Sequence, residues 1–373
     1  MSEGENEMTG ISYKANASEV LDRLRGFIGR KANDRIFAAF IPPSTAMKSF
    51  QKKHSGFTEY PEPYERIRFW DSVFKERTRL EDDSIPAAYP SEFDQGLYGG
   101  LLGGDVRFLA ATDDGYVSSG WISSMIPPLL KDWSGFEKLK FDENHFWFKR
   151  FTTQLGIMKD AAGGKFGISH LIAIDSFNFV YELIGATDTY MSVVDNPDFV
   201  RRGIDFGFDL NLKIHSTFFD IVQTLEGGTC SWVVPWIPGR IVNESVDPFH
   251  MTSIEYFEKY GIEPAERFIG RFDGGVLHLH ANGWHLLEST CGLKGLKAIL
   301  MVNEKDHPPA LGQIKQLRKR AGEVPLSIMV DYDEFTESLE RHELVGGVFY
   351  YVSAAPDIDS ANRWMEKVRA YRA

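Results

Sequence analysis

Residues 276–284 read "VLHLHANGW", an apolar run that carries two histidines two positions apart and stops at Ala-Asn-Gly. Side chains two apart on a strand point the same way, so His278 and His280 share one face while Leu277 and Leu279 share the other. Three further apolar runs follow: "LKAILMV" (296–302), "LSIMV" (326–330) and "GVFYYV" (347–352). The text between them has helical spacing. "LGQIKQLRKRAG" puts Leu311, Ile314 and Leu317 on one face and stops at Gly322, and "DSANRWMEKVRAY" opens at Asp359 or Ser360 and aligns Trp364, Val368 and Tyr371. Upstream, "RIFAAFI" (35–41), "SIPAA" (84–88), "KFGISHLIA" (165–173) and "CSWVV" (230–234) repeat the pattern. Thr252 with Glu255 reads as a capping box between the fourth and fifth runs. Strand and helix alternating eight times predict an α/β fold, a closed (β/α)8 TIM barrel rather than an open sheet.

The domain plan is an N-terminal polar arm over 1–16 and one barrel over 17–373. Helical insertions and a small hairpin in "DVRFLAATDDGYVSSGW" are expected within about 44–160. Lys plus Arg total 41 against 53 Asp plus Glu, a net charge of −12, which argues against a grip on nucleic acid or anionic lipid. Only Cys230 and Cys291 are present, which suits a reducing cytoplasm and excludes a cysteine-built zinc cluster. No apolar run approaches the roughly 18 residues of a membrane span.

Barrel enzymes react at the C-terminal ends of their strands, and that rule selects the candidate residues. Glu92, His170, Asp331 and Tyr351 are the catalytic candidates. Trp232, Trp236, Asn282 and Tyr350 are the groups to hold a flat ligand or cofactor, although aromatics are also ordinary core material. His278 and His280, with Glu304 after the next run, offer two imidazoles and a carboxylate to a divalent metal. The competing reading makes His278 an interior, hydrogen-bonded histidine and leaves only His280 facing the pocket. Asp333 is read as the cap of the helix that follows it.

"GGVLHLHANGWHLLESTCGLKGLKAILMVNEKD" (274–306) resembles the uroporphyrinogen decarboxylase-like superfamily, in which a strand ending in a His-x-Cys type motif is followed by a helix and a strand ending in an acidic residue. "RIFAAFIPP" and "NESVDPFHMTSIEYFEKYGIEPAERFIG" are similar to other segments of that family, and the resemblance runs from about Arg35 to the C-terminus. The decarboxylase branch needs arginines after the first strand, where this chain has "IPPSTAMKSF". The resemblance therefore implies the other branch first, the corrinoid-dependent methyltransferases and cobalamin-independent methionine synthase-like barrels. By that resemblance His278, His280 in place of a cysteine, and Glu304 hold Zn2+ or another divalent metal. It also implies a small-molecule substrate and a corrinoid protein as methyl donor, with a homodimer left open. Two readings stand behind it: a decarboxylase of a cyclic carboxylic acid using Tyr89, Glu92, Asp94 and His170, and a tetrapyrrole- or corrinoid-binding barrel without catalysis.

Overall fold

The apolar runs become parallel strands in the computed structural model, which describes residues 11–60, 62–110, 120–174 and 176–373. In chain order they are β1 (Ile36–Phe40), β2 (Ala87–Ala88), β3 (Gly167–Ile168), β4 (Ile172–Ala173), β5 (Ile241–Glu244), β6 (Gly274–His280), β7 (Leu296–Val302), β8 (Leu326–Asp331) and β9 (Val348–Ser353). A seven-stranded parallel sheet runs β1–β9–β8–β7–β6–β5–β4, and β2 pairs in parallel with β3. The fold is mixed α/β, with helices filling the crossovers.

Both faces of these strands are covered, which is why they read as nearly continuous apolar text. Phe37, Ala39, Val276, Ala298, Leu300 and Phe349 form one buried cluster with the helix Ala17–Ile28. Their neighbours Ala38, Phe40, Leu277, Leu279, Ile299 and Val348 pack in a second cluster among the crossover helices. His278 and His280 alternate with Leu277 and Leu279, so they stand on the same side as Val276.

The fourth expected strand is corrected. Of residues 230–234 only Cys230 is in a strand: it bridges Ser169 in parallel, its carbonyl accepting from the His170 amide at 3.1 Å, and Gly228–Cys230 pairs antiparallel with Trp236–Pro238, not with the seven-stranded sheet. Val233 and Val234 are fully buried in the cluster that holds Phe37 and Val276, and Ser327 Oγ donates to the Val233 carbonyl at 2.6 Å. The strand in the fourth place is "IVNE", β5, which pairs with β4 on one edge and β6 on the other. Its short apolar content hid it.

Between β1 and the segment entering β2, two aspartates take the place of ladder hydrogen bonds. Asp82 Oδ2 accepts from the Phe40 amide at 2.7 Å and Asp83 Oδ2 from the Ala38 amide at 3.0 Å. Lys14 lies 2.7 Å from Asp82 and Arg23 lies 2.6 Å from Asp83, so each buried carboxylate has its counter-charge. Ile11 and Lys14 are themselves buried, and residues 11–16 are therefore packed rather than part of a free arm. Residues 1–10 of the expected arm lie outside the described residues.

The connections on either side of β2 carry the helices Thr45–Lys53 and Pro63–Glu76 before it and Phe146–Ala162 after it, and together they form a three-stranded antiparallel sheet. In it Arg107–Ala110 pairs antiparallel with Ile122–Met125, so the second strand lies just past the stretch 105–121 expected to form a hairpin, of which residues 111–119 lie outside the described residues. Among the described residues, no helix is long and apolar enough to cross a membrane.

Candidate metal centre

At the C-terminal end of β6 the alternation places His278 and His280 together, with ring centroids 5.1 Å apart. The chain leaving β5 folds into a short 3-10 turn, Asp247–Met251, with Pro248 in its first positions, where a missing amide hydrogen costs nothing. That turn packs against another, Ala281–Leu286, which leaves β6. His285 links the two turns, its ring nitrogens lying 3.1 Å from the Asn282 carbonyl and 2.8 Å from that of Thr252.

The first turn delivers Asp247. Its Oδ1 is 3.3 Å from His278 Nε2 and 3.9 Å from His250 Nδ1. Ligand atoms of Asp247, His278 and His280 all lie within 4.8 Å of one another. Donors on a tetrahedral zinc, at about 2.0–2.1 Å from the ion, are about 3.4 Å apart, and two bound imidazoles hold their centroids about 5.2 Å apart. Both spacings match the pairs here.

The buried Asp247 Oδ1 and His278 Nδ1 have no hydrogen-bond partner, nor does His250 Nε2. Buried polar atoms are normally satisfied, yet Asp247 Oδ1, 3.3 Å from His278 Nε2, has no hydrogen-bond donor of its own. This donor set fits a divalent cation. Burial pushes the Asp247 carboxyl up, but His278 above all, then His250 and His280, hold it well below the usual carboxylate range. The carboxylate is therefore ionised, as a ligand must be.

Glu304, the carboxylate singled out in the sequence, lies outside this trio. Its Oε1 is 2.5 Å from His280 Nδ1, which leaves Nε2 as the nitrogen able to ligate. Carboxylates in this position orient a ligand histidine and set its tautomer. Gly283 serves the same neighbourhood by its lack of a side chain: a Cβ there would come within 2.2 Å of the His250 ring.

An aromatic wall runs away from the histidines. Trp232 lies 5.2 Å from His278, Trp121 lies 5.9 Å from Trp232, and Tyr89 lies 4.6 Å from Trp121. Behind it the Tyr89 hydroxyl donates to Asp94, 2.6 and 2.8 Å from its two oxygens, and the Ile172 amide donates at 3.3 Å. Burial pushes the Asp94 carboxyl up to about 8 despite those donors, so it carries a proton through most of the acid range. The folded protein thus binds a proton that the unfolded chain releases near pH 4, and this group makes stability fall as pH rises from about 4 to about 8. In Asp94→Asn that component vanishes. The slope of unfolding free energy against pH, measured in urea, is expected to become less negative by up to about 1.4 kcal/mol per pH unit in this window.

The remaining sequence candidates are placed elsewhere. Glu92 is fully buried, 3.1 Å from Arg66 Nε, and also accepts from Gln154. His170 directs Nδ1 to the Ile241 carbonyl at 2.8 Å beside the buried His215, and burial pushes its pKa down to about 4. Asp331, rather than Asp333, caps the helix Tyr332–Glu340, accepting from the Asp333 amide at 3.0 Å. Tyr350 faces the crossover helices, donating to the Val345 carbonyl at 3.0 Å. Trp236 precedes β5 and donates to the Leu225 carbonyl at 2.8 Å, stacked under Arg25. Tyr351 is on the same side as Phe349, 4.9 Å away, and its hydroxyl has no partner. Asn282 is exposed beside the histidines. Asp247 and His250 were not selected in the sequence, although an Asp and a His three residues apart, directly after "IVNESV", occupy a strand-end loop.

No protein-family model matches the sequence, and no curated protein does. Among solved structures, the chain is similar to a methyltransferase from Methanosarcina mazei, with a TM-score of 0.58 and 11% sequence identity. The match covers 94% of this chain and 98% of that one, so the two share their overall fold over nearly their full lengths.

Proposed function

We propose that the protein is a metal-dependent methyltransferase built on a single closed (β/α)8 barrel, with Asp247, His278 and His280 holding Zn2+ or a similar divalent ion. The observation that carries this reading is the convergence of those three residues within 4.8 Å at the C-terminal ends of parallel strands. The fold shared with a methyltransferase supports the reaction class. Two imidazoles and a carboxylate suit zinc and its neighbours, while both cysteines are free and lie outside the trio. A bound divalent ion lowers the pKa of a thiol, alcohol or water and makes it a nucleophile. The chain's own groups do the rest. Asp247, with 31% of its side chain exposed, meets the solvent-facing side; Glu304 holds His280; Trp232 and Trp121 offer a flat apolar wall to the substrate. The methyl donor in this proposal is a corrinoid on a partner protein, in the cytoplasm.

Elemental analysis of the purified full chain tests the metal, followed by methyl transfer from a methylcorrinoid to a thiol or alcohol before and after chelation. A stoichiometric ion and transfer abolished by the chelator are expected. A chain that takes up no divalent metal even when supplied with it sinks the proposal.

A further inference from the structure

We infer that His250 is a further protein ligand of the same ion, making the centre one carboxylate and three imidazoles. This rests on the metal reading above and extends it to a residue outside the trio. His250 sits in the turn that carries Asp247, three residues on, so one local fold carries both side chains, although His250 stays outside the 4.8 Å grouping of the other three. Its Nδ1 is 3.9 Å from Asp247 Oδ1, about half an ångström beyond the edge of a zinc tetrahedron. Its ring centroid is 5.6 Å from that of His280, close to the spacing of about 5.2 Å for two imidazoles on one tetrahedral ion.

A core histidine in an ordinary role hydrogen-bonds its buried nitrogens. Here Nε2 is buried without a partner, and Nδ1 has only the 3.9 Å approach to Asp247. The ring is nevertheless held in place. Only 3% of its side chain is exposed, and it lies against Gly283, where any Cβ would displace it. Gly283 of "VLHLHANGW" thus makes room for an imidazole delivered by the turn that follows β5.

The test uses the full chain loaded with Co2+, whose visible absorption reports coordination number and donor type, and with Zn2+ for affinity. His250→Gln removes the imidazole while keeping a polar side chain of similar size. Gly283→Ala leaves His250 in the sequence but drives its ring away, and guards against a folding defect peculiar to the first variant. Unfolding of each metal-free protein in urea identifies any variant that has lost its fold. The expected result is a changed Co2+ spectrum and a Zn2+ Kd raised at least about 10-fold in both variants. Folded variants with unchanged spectrum and affinity overturn the role of His250 and leave the Asp247, His278 and His280 site standing. Failure of the unmodified chain to bind either ion overturns both.

Discussion

Replacing Asp247 by asparagine is expected to weaken Zn2+ binding at least about 100-fold, whereas Glu304→Gln is expected to weaken it only about 10-fold. Asp247 offers an ionised oxygen 3.3 Å from His278 Nε2, within the trio whose ligand atoms share one space. An amide in its place keeps the shape and loses the negative charge that offsets the ion. Glu304 stands behind His280 at 2.5 Å from Nδ1, so its loss frees the ring to turn without removing a donor. Competition with a chromophoric chelator on the full chain measures both. The reverse order, with Glu304→Gln the more damaging, would restore Glu304 as the primary carboxylate ligand. The comparison separates two carboxylates that sequence spacing alone made hard to rank.

The second large effect is on stability. Glu92→Ala is expected to cost about 3–5 kcal/mol of unfolding free energy, because it leaves the Arg66 guanidinium buried and unpaired. Both side chains are fully buried, and the guanidinium lies over Phe50, Phe69 and Trp70 at 5.3–5.5 Å from their ring centres. The other polar contacts of Arg66, the Tyr89 carbonyl at 3.4 Å and Ser91 Oγ at 3.3 Å, carry no formal charge to replace the carboxylate. Replacing both partners with apolar residues of similar volume, as in Arg66→Met with Glu92→Leu, is expected to recover most of the loss. Urea unfolding of the unmodified protein and the two variants gives the comparison. A Glu92→Ala protein of unchanged stability that has lost activity would return Glu92 to the catalytic role read from its position in the sequence.

How much of this was readable without the fold depends on the range of the interaction. The strands β6 to β9 and their crossover helices follow from local period and caps, and the pairing of His278 with His280 follows from the twofold repeat of one strand. Asp94 and Tyr89 are close in sequence and meet in space. The fourth strand was missed because "CSWVV" has the better local pattern, yet its valines fill the interior while the poorer run "IVNE" supplies the ladder. Burial between two partner strands decided that, and a partner strand is not visible in a seven-residue window.

The candidate metal centre divides in the same way. Sequence alone determined that two imidazoles leave β6 on one side, because a strand's geometry is set residue by residue. The third donor depends on which strand lies next to β6. Glu304 follows β7 and Asp247 follows β5, and both flank the histidines. Only the tertiary structure put the Asp247–Met251 turn over His278 and set Glu304 against the far nitrogen of His280, since the path of each loop is fixed by what it packs on rather than by its own sequence.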